Sequence, residues 1–266
     1  MESYTESEHP RLWLRQPFTG EHDGAIKLSA RFSGSVVLVA GGTGGLGHAV
    51  SRAFLREGAR VIVTYRRQDE FAALKTAAGA GVALLAGFDV DVTDESAARQ
   101  LVAGILAQNG RLDAMVNTVG GYAGGLKLWE TDAKVFDQML ALNLRSGYAL
   151  SRAVVPAMLK QGRGAIVNVC AKAAFDHAAG AAAYAASKAA ALAMMDCLAA
   201  DLKGTGVRVN SVLPSIMDTE ANRKAMPNAD FAKWPKTEDV ASVILFLCSD
   251  DAKVVHGAAV PVYGET

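Results

Sequence analysis

The chain has 266 residues, of which 51% are hydrophobic, and its 27 basic and 27 acidic side chains give a formal net charge of zero. This balance argues against a nucleic-acid or membrane partner, and no apolar run approaches the roughly 20 residues needed to span a bilayer. The polar, acidic N-terminus is unlike a secretory signal, and the three cysteines are scattered. We therefore expect a cytoplasmic protein with no disulfide and no metal site.

Residues 1–33 lack periodicity and are predicted to form an N-terminal arm, followed by one domain over 34–266. Strands are predicted at 36–40, 61–64, 82–86, 112–117, 165–169, 207–213 and 258–262. Helices are predicted after residue 45 and at 70–78, 94–108, 132–159, 181–202 and 237–248, the last with a Thr237 cap. Strands that alternate with helices and are apolar along their length predict an α/β fold with a doubly wound parallel sheet of the Rossmann type.

The stretch from residue 36 to 50 is the most informative one in the first half of the chain. An apolar strand is followed by four glycines within residues 41–45 and then by a helical pattern. This order lets the backbone approach a pyrophosphate, while the helix directs its free amides and positive dipole end at the phosphates. A plain tight turn between a strand and a helix is the alternative interpretation.

Tyr184 and Lys188 lie four residues apart in the alanine-rich helix predicted at 181–202, so they project from one face. A lysine cation near a phenol favours the phenolate, which lowers the tyrosine pKa from its usual value of about 10 and suits it to proton transfer. A surface tyrosine beside a solvated lysine is the alternative.

Together these features resemble the short-chain dehydrogenase/reductase family, and the likeness runs from about residue 34 to 264. The family's glycine motif falls on residues 40–47, with Ala40 where threonine is usual. Its Asn-Asn-Ala-Gly motif falls on residues 117–120, where only the two end positions match. We expect these departures to cost the turn some rigidity without preventing nucleotide binding.

The resemblance implies a role for each matching residue. Tyr184 would protonate the substrate, Lys188 would bind the nicotinamide ribose and tune Tyr184, and Asn143 would bend a helix and order water near the lysine. Asp91 would meet the adenine base, and Thr219 the carboxamide or phosphate region. The predicted cofactor-binding residues are Gly41, Thr43, Gly45, Leu46, Gly47, Tyr65, Arg66, Arg67, Asp91, Val92, Asn117, Gly120, Pro214 and Thr219.

The choice of cofactor depends on the end of the second strand, which reads Tyr65-Arg66-Arg67. An acidic residue there would bind the ribose hydroxyls of NAD, whereas arginine accommodates the 2′-phosphate of NADP. Guanidinium pairs well with phosphate, so we predict NADP(H) over NAD(H). Two solvated arginines at a helix start are the alternative.

One departure lies on the substrate side, where Ala171 occupies the position of the family's catalytic serine. Losing that donor at an ordinary ketone site would cost roughly 3 kcal/mol, or about a hundredfold in rate. Three explanations are open: another donor such as Lys172 or His177 replaces it, the substrate does not need it, or the protein no longer catalyses.

Three segments, 120–125, 171–176 and 218–234, resemble the dihydropteridine reductases, a branch of the family that lacks this serine. This resemblance implies a conjugated, electron-poor imine substrate such as a quinonoid dihydropterin. Residues 215–236 would form the substrate loop. The candidate substrate residues are Ala171, Lys172, Tyr122, Phe231 and Trp234.

Three functions remain open from the sequence. The first is a pterin-reductase-like NAD(P)H-dependent enzyme acting on a small molecule. The second is a general carbonyl or 3-oxoacyl reductase with a displaced donor. The third is a non-catalytic NAD(P)-binding protein, which the retention of Asn143, Tyr184 and Lys188 disfavours. The family implies a homodimer or homotetramer.

Overall fold

The computed structural model describes residues 31–266, so the predicted arm up to residue 30 lies outside the described residues. Phe32 is buried, and its ring meets that of Phe54 edge-on with the centroids 4.9 Å apart. Its amide donates to the Glu57 carbonyl at 3.0 Å. The packed domain therefore begins before the predicted boundary at residue 34.

Seven strands and eight α-helices alternate along the described chain. The strands are β1 (Val36–Ala40), β2 (Arg60–Tyr65), β3 (Leu85–Asp89), β4 (Ala114–Asn117), β5 (Gly164–Val169), β6 (Val207–Pro214) and β7 (Ala259–Val262). The helices are α1 (Gly45–Arg56), α2 (Gln68–Ala78), α3 (Glu95–Asn109), α4 (Ala133–Leu140), α5 (Ser146–Gln161), α6 (Ala182–Asp201), α7 (Glu220–Ala225) and α8 (Thr237–Cys248).

The strands form one parallel sheet in the order β3-β2-β1-β4-β5-β6-β7. Side chains of β1 alternate between two cores: Val37 and Val39 pack with α1, α2 and α8, whereas Leu38 packs with α3, α5 and α6. The prediction of a doubly wound parallel sheet is thus confirmed. Both β2 and β4 pair with β1, so the strand order reverses there, and ligands bind beyond the carboxyl ends of strands at such a point.

The third strand starts later than predicted. Residues 79–84 form a 3-10 segment, and β3 begins at Leu85, whereas the sequence pattern placed the strand at 82–86. Gly87 would ordinarily interrupt a strand, but here the Phe71 ring packs directly over it, and a Cβ at this position would collide with that ring. This tertiary contact keeps a glycine inside β3.

The helix predicted at 132–159 and the helix cap predicted at Thr237 both differ in detail from the fold. The single helix predicted at 132–159 is divided by a π-turn over 141–145 that carries Asn143, as the family resemblance implied. Thr237 is wrong as a helix cap, because Lys236 is the cap residue of α8 and the Thr237 hydroxyl donates to Glu238 at 3.1 Å. No helix within residues 31–266 is long and apolar enough to cross a membrane.

Candidate active site

The turn after β1 is built so that only glycine fits at its closest approaches. Gly41 has a φ of +72°, which favours glycine, and its amide donates to the Thr64 hydroxyl at 2.9 Å. The Gly42 amide donates to the Thr64 carbonyl at 3.1 Å. A Cβ on Gly47 would collide with the Gly41 carbonyl oxygen, so the first turn of α1 rests directly on the glycine turn. The end of β2 and the start of α1 hold the turn in place.

A hydroxyl from another strand end lies where Ala40 lacks one. The Thr118 hydroxyl lies 2.7 Å from the Ala40 carbonyl oxygen and 3.1 Å from that of Gly41, and the Thr118 amide also donates to Ala40 at 3.0 Å. The hydroxyl that Ala40 lacks is therefore supplied by the residue after β4. The two departures from the family motifs compensate each other across the strand pair β1–β4.

The glycine turn, the start of α1 and Thr219 surround the place where the family resemblance puts a dinucleotide pyrophosphate, called the groove below. Gly45 and Leu46 lie in the first turn of α1, where no intrahelical carbonyl can accept from the amides and the helix dipole is positive. A Cβ on Gly45 would stand only 3.2 Å from the Thr219 methyl group, so a side chain there would fill the groove. Thr219 follows Pro214, the buried last residue of β6, and thus lies across the groove from α1. These residues would hold the phosphates of a nicotinamide cofactor.

Arg66 and Asp91 meet at the predicted adenosine end of the groove. Arg66 Nη1 lies 2.7 Å from Asp91 Oδ2, and Asp91 Oδ1 accepts from the Thr93 amide at 2.9 Å and the Thr93 hydroxyl at 2.7 Å. Desolvation raises the pKa of Asp91, but the Thr93 hydrogen bonds and Arg66 outweigh it and hold the pKa below its ordinary value. Val92 is buried in the core behind them, and the Tyr65 ring stacks on a phenylalanine of α2.

Arg67 is turned away from Arg66 toward α2. It pairs with Asp69, and its Nε lies 3.6 Å from Glu70 Oε1. The other Glu70 oxygen, Oε2, accepts from the Thr43 hydroxyl of the glycine turn at 3.1 Å. Arg67 thus neutralises the acidic first turn of its own helix, whereas Arg66 pairs with Asp91; that the two arginines face the cofactor stays a prediction.

Asn117, predicted to bind the cofactor, instead has its side chain inside the protein. Its Nδ2 donates to Asn168 Oδ1 at 2.9 Å and to Ser146 Oγ at 3.3 Å, and its Oδ1 accepts from the Val119 amide at 3.1 Å. Only 1% of Asn117 is exposed. Its side-chain amide is occupied in joining β4, β5 and α5, so this side chain positions the following loop, and a contact of Asn117 with the cofactor stays a prediction for its backbone.

Asn143 braces that loop from the π-turn. Its Oδ1 accepts from the Gly121 amide at 3.0 Å, and its Nδ2 donates to the Gly121 carbonyl at 3.0 Å and to Ser187 Oγ at 3.0 Å. A Cβ on Gly120 would stand 2.8 Å from Asn143 Oδ1 and 3.2 Å from Lys188 Nζ. The loop after β4 can therefore lie directly on Asn143 and Lys188 only because residue 120 is glycine.

Tyr184 and Lys188 are brought together, but not as the sequence predicted. Lys188 Nζ donates to the Val169 carbonyl at 3.0 Å and lies 6.0 Å from the centroid of the Tyr184 ring. Burial, followed by the nearby Cys170 and Tyr122, raises the pKa of Tyr184 to about 12, and burial lowers the pKa of Lys188 to about 8. The expected lowering of the Tyr184 pKa by Lys188 is wrong, since burial dominates and the phenol keeps its proton near neutral pH.

At the serine position Ala171 has no side-chain donor, and the ammonium of the following Lys172 has partners of its own. Ala171 is 7% exposed and begins a 3-10 turn. The ammonium of Lys172 lies 3.4 Å from Asp176 Oδ2 and 5.3 Å from the centroid of the Tyr263 ring, so it is already engaged by an anion and an aromatic face. His177 is exposed on the loop before α6.

Tyr122 is the predicted substrate residue that the structure places against Tyr184. Its ring is 67% exposed and meets that of Tyr184 edge-on, with the centroids 5.0 Å apart. Asn143 fixes the residue before Tyr122, and the Gly125 amide donates to the Gly180 carbonyl at 2.9 Å. The loop is thus held on both sides of an exposed aromatic ring.

The predicted substrate loop at 215–236 is closed on itself. The Asp218 amide donates to the Pro235 carbonyl at 2.9 Å, which joins the two ends of the loop. Arg223 pairs with Asp218 and lies over the Phe231 ring, whose centroid is 5.0 Å from that of Trp234. Trp234 is 7% exposed, so it packs inside the loop. Phe231 and Trp234 therefore shape this loop through their own packing.

Sequence reasoning missed three residues of the site: Thr118, Ser187 and Glu70. Ser187 accepts from Asn143 and donates to the Tyr184 carbonyl at 2.7 Å; its place one helical turn after Tyr184 could have indicated this. Thr118 could have been found as the hydroxyl opposite Ala40. Glu70 carries no comparable signal, since an acidic residue in the first turn of a helix is ordinary.

Comparison with known proteins places this geometry in a family. Residues 35–230 match the family described as short chain dehydrogenase. The chain is 31% identical to 3-oxoacyl-[acyl-carrier-protein] reductase of Thermotoga maritima over 88% of this chain and 98% of the relative, and 31% identical to D-threitol dehydrogenase of Mycolicibacterium smegmatis over 90% and 95%. A solved short-chain dehydrogenase/reductase from Burkholderia xenovorans superimposes with a TM-score of 0.83 at 32% identity, covering 88% of this chain and 97% of that one. The chain belongs to the short-chain dehydrogenase/reductase family and is an NAD(P)-dependent oxidoreductase.

Proposed function

We propose that the protein is a dihydropteridine-reductase-like enzyme that moves a hydride to a conjugated heterocyclic or imine substrate. The observation that carries this proposal is Ala171, which places a methyl group where ketone reductases of the family have a serine hydroxyl. A conjugated, electron-poor imine accepts a hydride without a second donor on a carbonyl oxygen. The three segments that resemble dihydropteridine reductases support the same substrate class.

Tyr184 would supply the proton in this reaction. Because burial raises the pKa of Tyr184 to about 12, its Oη carries the proton near neutral pH and can donate it to the reduced substrate. A bound nicotinamide would supply the hydride. Lys188, 5% exposed and tied to Val169, would hold the nicotinamide ribose, while Asn143 keeps the neighbouring loop in place.

The exposed ring of Tyr122 supports the proposal of a planar substrate. Its exposed ring stands edge-on to Tyr184 and is held by a loop anchored on Asn143 and Gly180. An aromatic ring fixed beside the proton donor provides a flat apolar wall, and such walls favour stacked heteroaromatic ligands. The ring packs against Tyr184 and over Gly124 on one side, and with 67% of the residue exposed its other side can meet a ligand.

We also propose that NADP(H) is preferred over NAD(H). Arg66 lies at the adenosine end of the groove beside Asp91, where a guanidinium can pair with a 2′-phosphate. Tyr65 stands at the end of β2, where NAD-dependent relatives would carry an acidic side chain. The expected result is a lower KM for NADPH than for NADH, and a lower KM for NADH contradicts the preference.

A general carbonyl or 3-oxoacyl reductase is the second candidate. The 31% identity to the 3-oxoacyl-[acyl-carrier-protein] reductase of Thermotoga maritima over nearly all of both chains favours it. This activity requires another group to take the place of the serine hydroxyl.

NAD(P)H oxidation distinguishes the two candidates. The wild type and Tyr184→Phe are supplied with quinonoid dihydropterin and, separately, with a panel of ketones and a 3-oxoacyl thioester. We expect pterin turnover in the wild type and a large loss in Tyr184→Phe. Turnover of ketones or the thioester without pterin turnover would overturn the pterin proposal in favour of the second candidate.

Ala171→Ser tests directly whether the hydroxyl missing at this position determines the substrate. A serine at this buried position restores the missing hydroxyl, so we expect pterin reduction to persist and ketone reduction to rise by about tenfold or more. Unchanged ketone reduction in a folded Ala171→Ser protein would show that the missing hydroxyl does not restrict the substrate.

A further inference from the structure

A carboxylate is fastened to the glycine turn, although the end of β2 has none. Glu70 reaches it from the first turn of α2, with Oε2 accepting from the Thr43 hydroxyl at 3.1 Å and Oε1 lying 3.6 Å from Arg67 Nε. The phenol of Tyr65, at the position where an acid would bind a ribose, is neutral near pH 7, and burial and the charge of Asp89 raise its pKa further.

The position of Glu70 follows from how the turn and the strand are joined. The Gly42 amide donates to the Thr64 carbonyl at 3.1 Å, so the glycine turn and the end of β2 form one continuous edge. The adenosine ribose of a dinucleotide lies between those two segments in this fold. Glu70 is fastened to the turn through Thr43, and its carboxylate is therefore fixed at this edge.

Arg66 and Arg67 neutralise the negative charge of the Glu70 carboxylate to different extents. Arg67 is shared between Asp69 and Glu70, and Arg66 is paired with Asp91 at 2.7 Å. A 2′-phosphate could pair with the remaining donors of Arg66, but it would then stand near the negative charges of Asp91 and Glu70. Ribose hydroxyls, in contrast, can donate to that carboxylate.

We propose that Glu70 is a specificity-determining residue that accepts hydrogen bonds from the adenosine ribose hydroxyls and opposes a 2′-phosphate. It limits the preference that Arg66 gives to NADP(H) and keeps NAD(H) usable. The proposal deepens the cofactor preference proposed above and rests on the same groove. Part of the discrimination between NADP(H) and NAD(H) then comes from the first turn of α2 instead of the end of β2.

The test measures binding of NADPH and NADH separately to the purified full-length protein by nucleotide fluorescence, without any substrate. In Glu70→Gln, the ratio of the two dissociation constants should move toward NADPH by about tenfold, as expected for removing one like charge near a phosphate. Asp69→Asn is the matched control, since Asp69 also pairs with Arg67, whereas within residues 31–266 the Thr43 hydroxyl donates to Glu70. Its ratio should change by less than about twofold.

Two results would overturn the proposal. One is an unchanged ratio in Glu70→Gln; the other is an equal change in Asp69→Asn, which would indicate a general charge effect of α2. The Glu70 side chain is 38% exposed, so its substitution should leave the fold intact, and far-ultraviolet circular dichroism with a thermal melt checks this. The wild-type ratio tests the NADP(H) preference itself, whereas the change on substitution tests Glu70, so the two can fail separately.

Discussion

Lys188→Met should make the stability of the protein depend less on pH. Lys188 is 5% exposed, and desolvation lowers its pKa from the ordinary 10.5 to about 8, with a smaller opposing contribution from Cys170. At about 1.4 kcal/mol per pH unit, the buried ammonium costs the folded state about 3 kcal/mol at neutral pH. Between pH 8 and 10.5 the unfolded chain still binds this proton and the folded protein has released it, so stability rises with pH in that window.

The methionine variant removes this titration and also the hydrogen bond to the Val169 carbonyl at 3.0 Å. Leaving that carbonyl without a donor costs about 1 to 3 kcal/mol, which offsets most of the relief at pH 7. A neutral amine can still donate to Val169, so the lost hydrogen bond contributes similarly at each pH. From pH 7 to pH 10 the wild type should therefore gain about 2.5 kcal/mol over Lys188→Met.

Urea unfolding at pH 7, 8.5 and 10, at one protein concentration, measures this difference. Lys160→Met, an exposed lysine of α5, is the control and should follow the wild type at each pH. Tyr184 is present in all three proteins and does not affect the comparison. A stability difference between wild type and Lys188→Met that stayed constant from pH 7 to 10 would refute the assignment of a buried, charged lysine.

Three further substitutions test the site. Asn143→Ala releases both polar atoms of Gly121, so kcat should fall roughly tenfold or more in steady-state kinetics, with less than about threefold change in cofactor affinity. Thr118→Val removes the hydroxyl that holds the glycine turn, and thermal or urea unfolding should show a loss of about 1 to 2 kcal/mol. Gly47→Ala places a methyl group against the Gly41 carbonyl oxygen, and fluorescence titration should find nucleotide binding lost in the protein that still folds. Full binding by that variant would contradict the close approach of α1 to the turn.

The sheet could be predicted because its strands are apolar along their whole length and alternate with amphipathic segments. That signal is local, and it located all seven strands. The exact position of β3 could not be predicted, because the strand includes Gly87. That glycine is tolerated only because the Phe71 ring, from the preceding helix, packs over it. Likewise, the break at Asn143 came only from the family resemblance, since the apolar period continues through it.

The glycine turn and the pair Tyr184 and Lys188 were found because their chemistry depends on short spacings. The spacing could not predict how deeply the side chains are buried. The pKa of Tyr184 depends on its burial in the whole fold, and burial raises this pKa where the spacing predicted a lowering. Thr118 compensating for Ala40 is likewise a contact between strands that are distant in sequence. Residue types and spacings predict the catalytic groups, whereas their protonation follows from packing.

The protonation of Tyr184 bears on which substrate the site suits. Burial raises the pKa of Tyr184 to about 12, so the phenol carries its proton near neutral pH and starts the reaction in the acid form. A protonated Tyr184 is the form that a reduction needs, because the reduced substrate takes up a proton. Without a hydroxyl at Ala171, charge that develops on the accepting atom must be met by the Tyr184 proton itself. An imine nitrogen is more basic than a ketone oxygen and takes that proton more readily, so a buried, protonated Tyr184 and a methyl group at Ala171 both favour the same class of substrate.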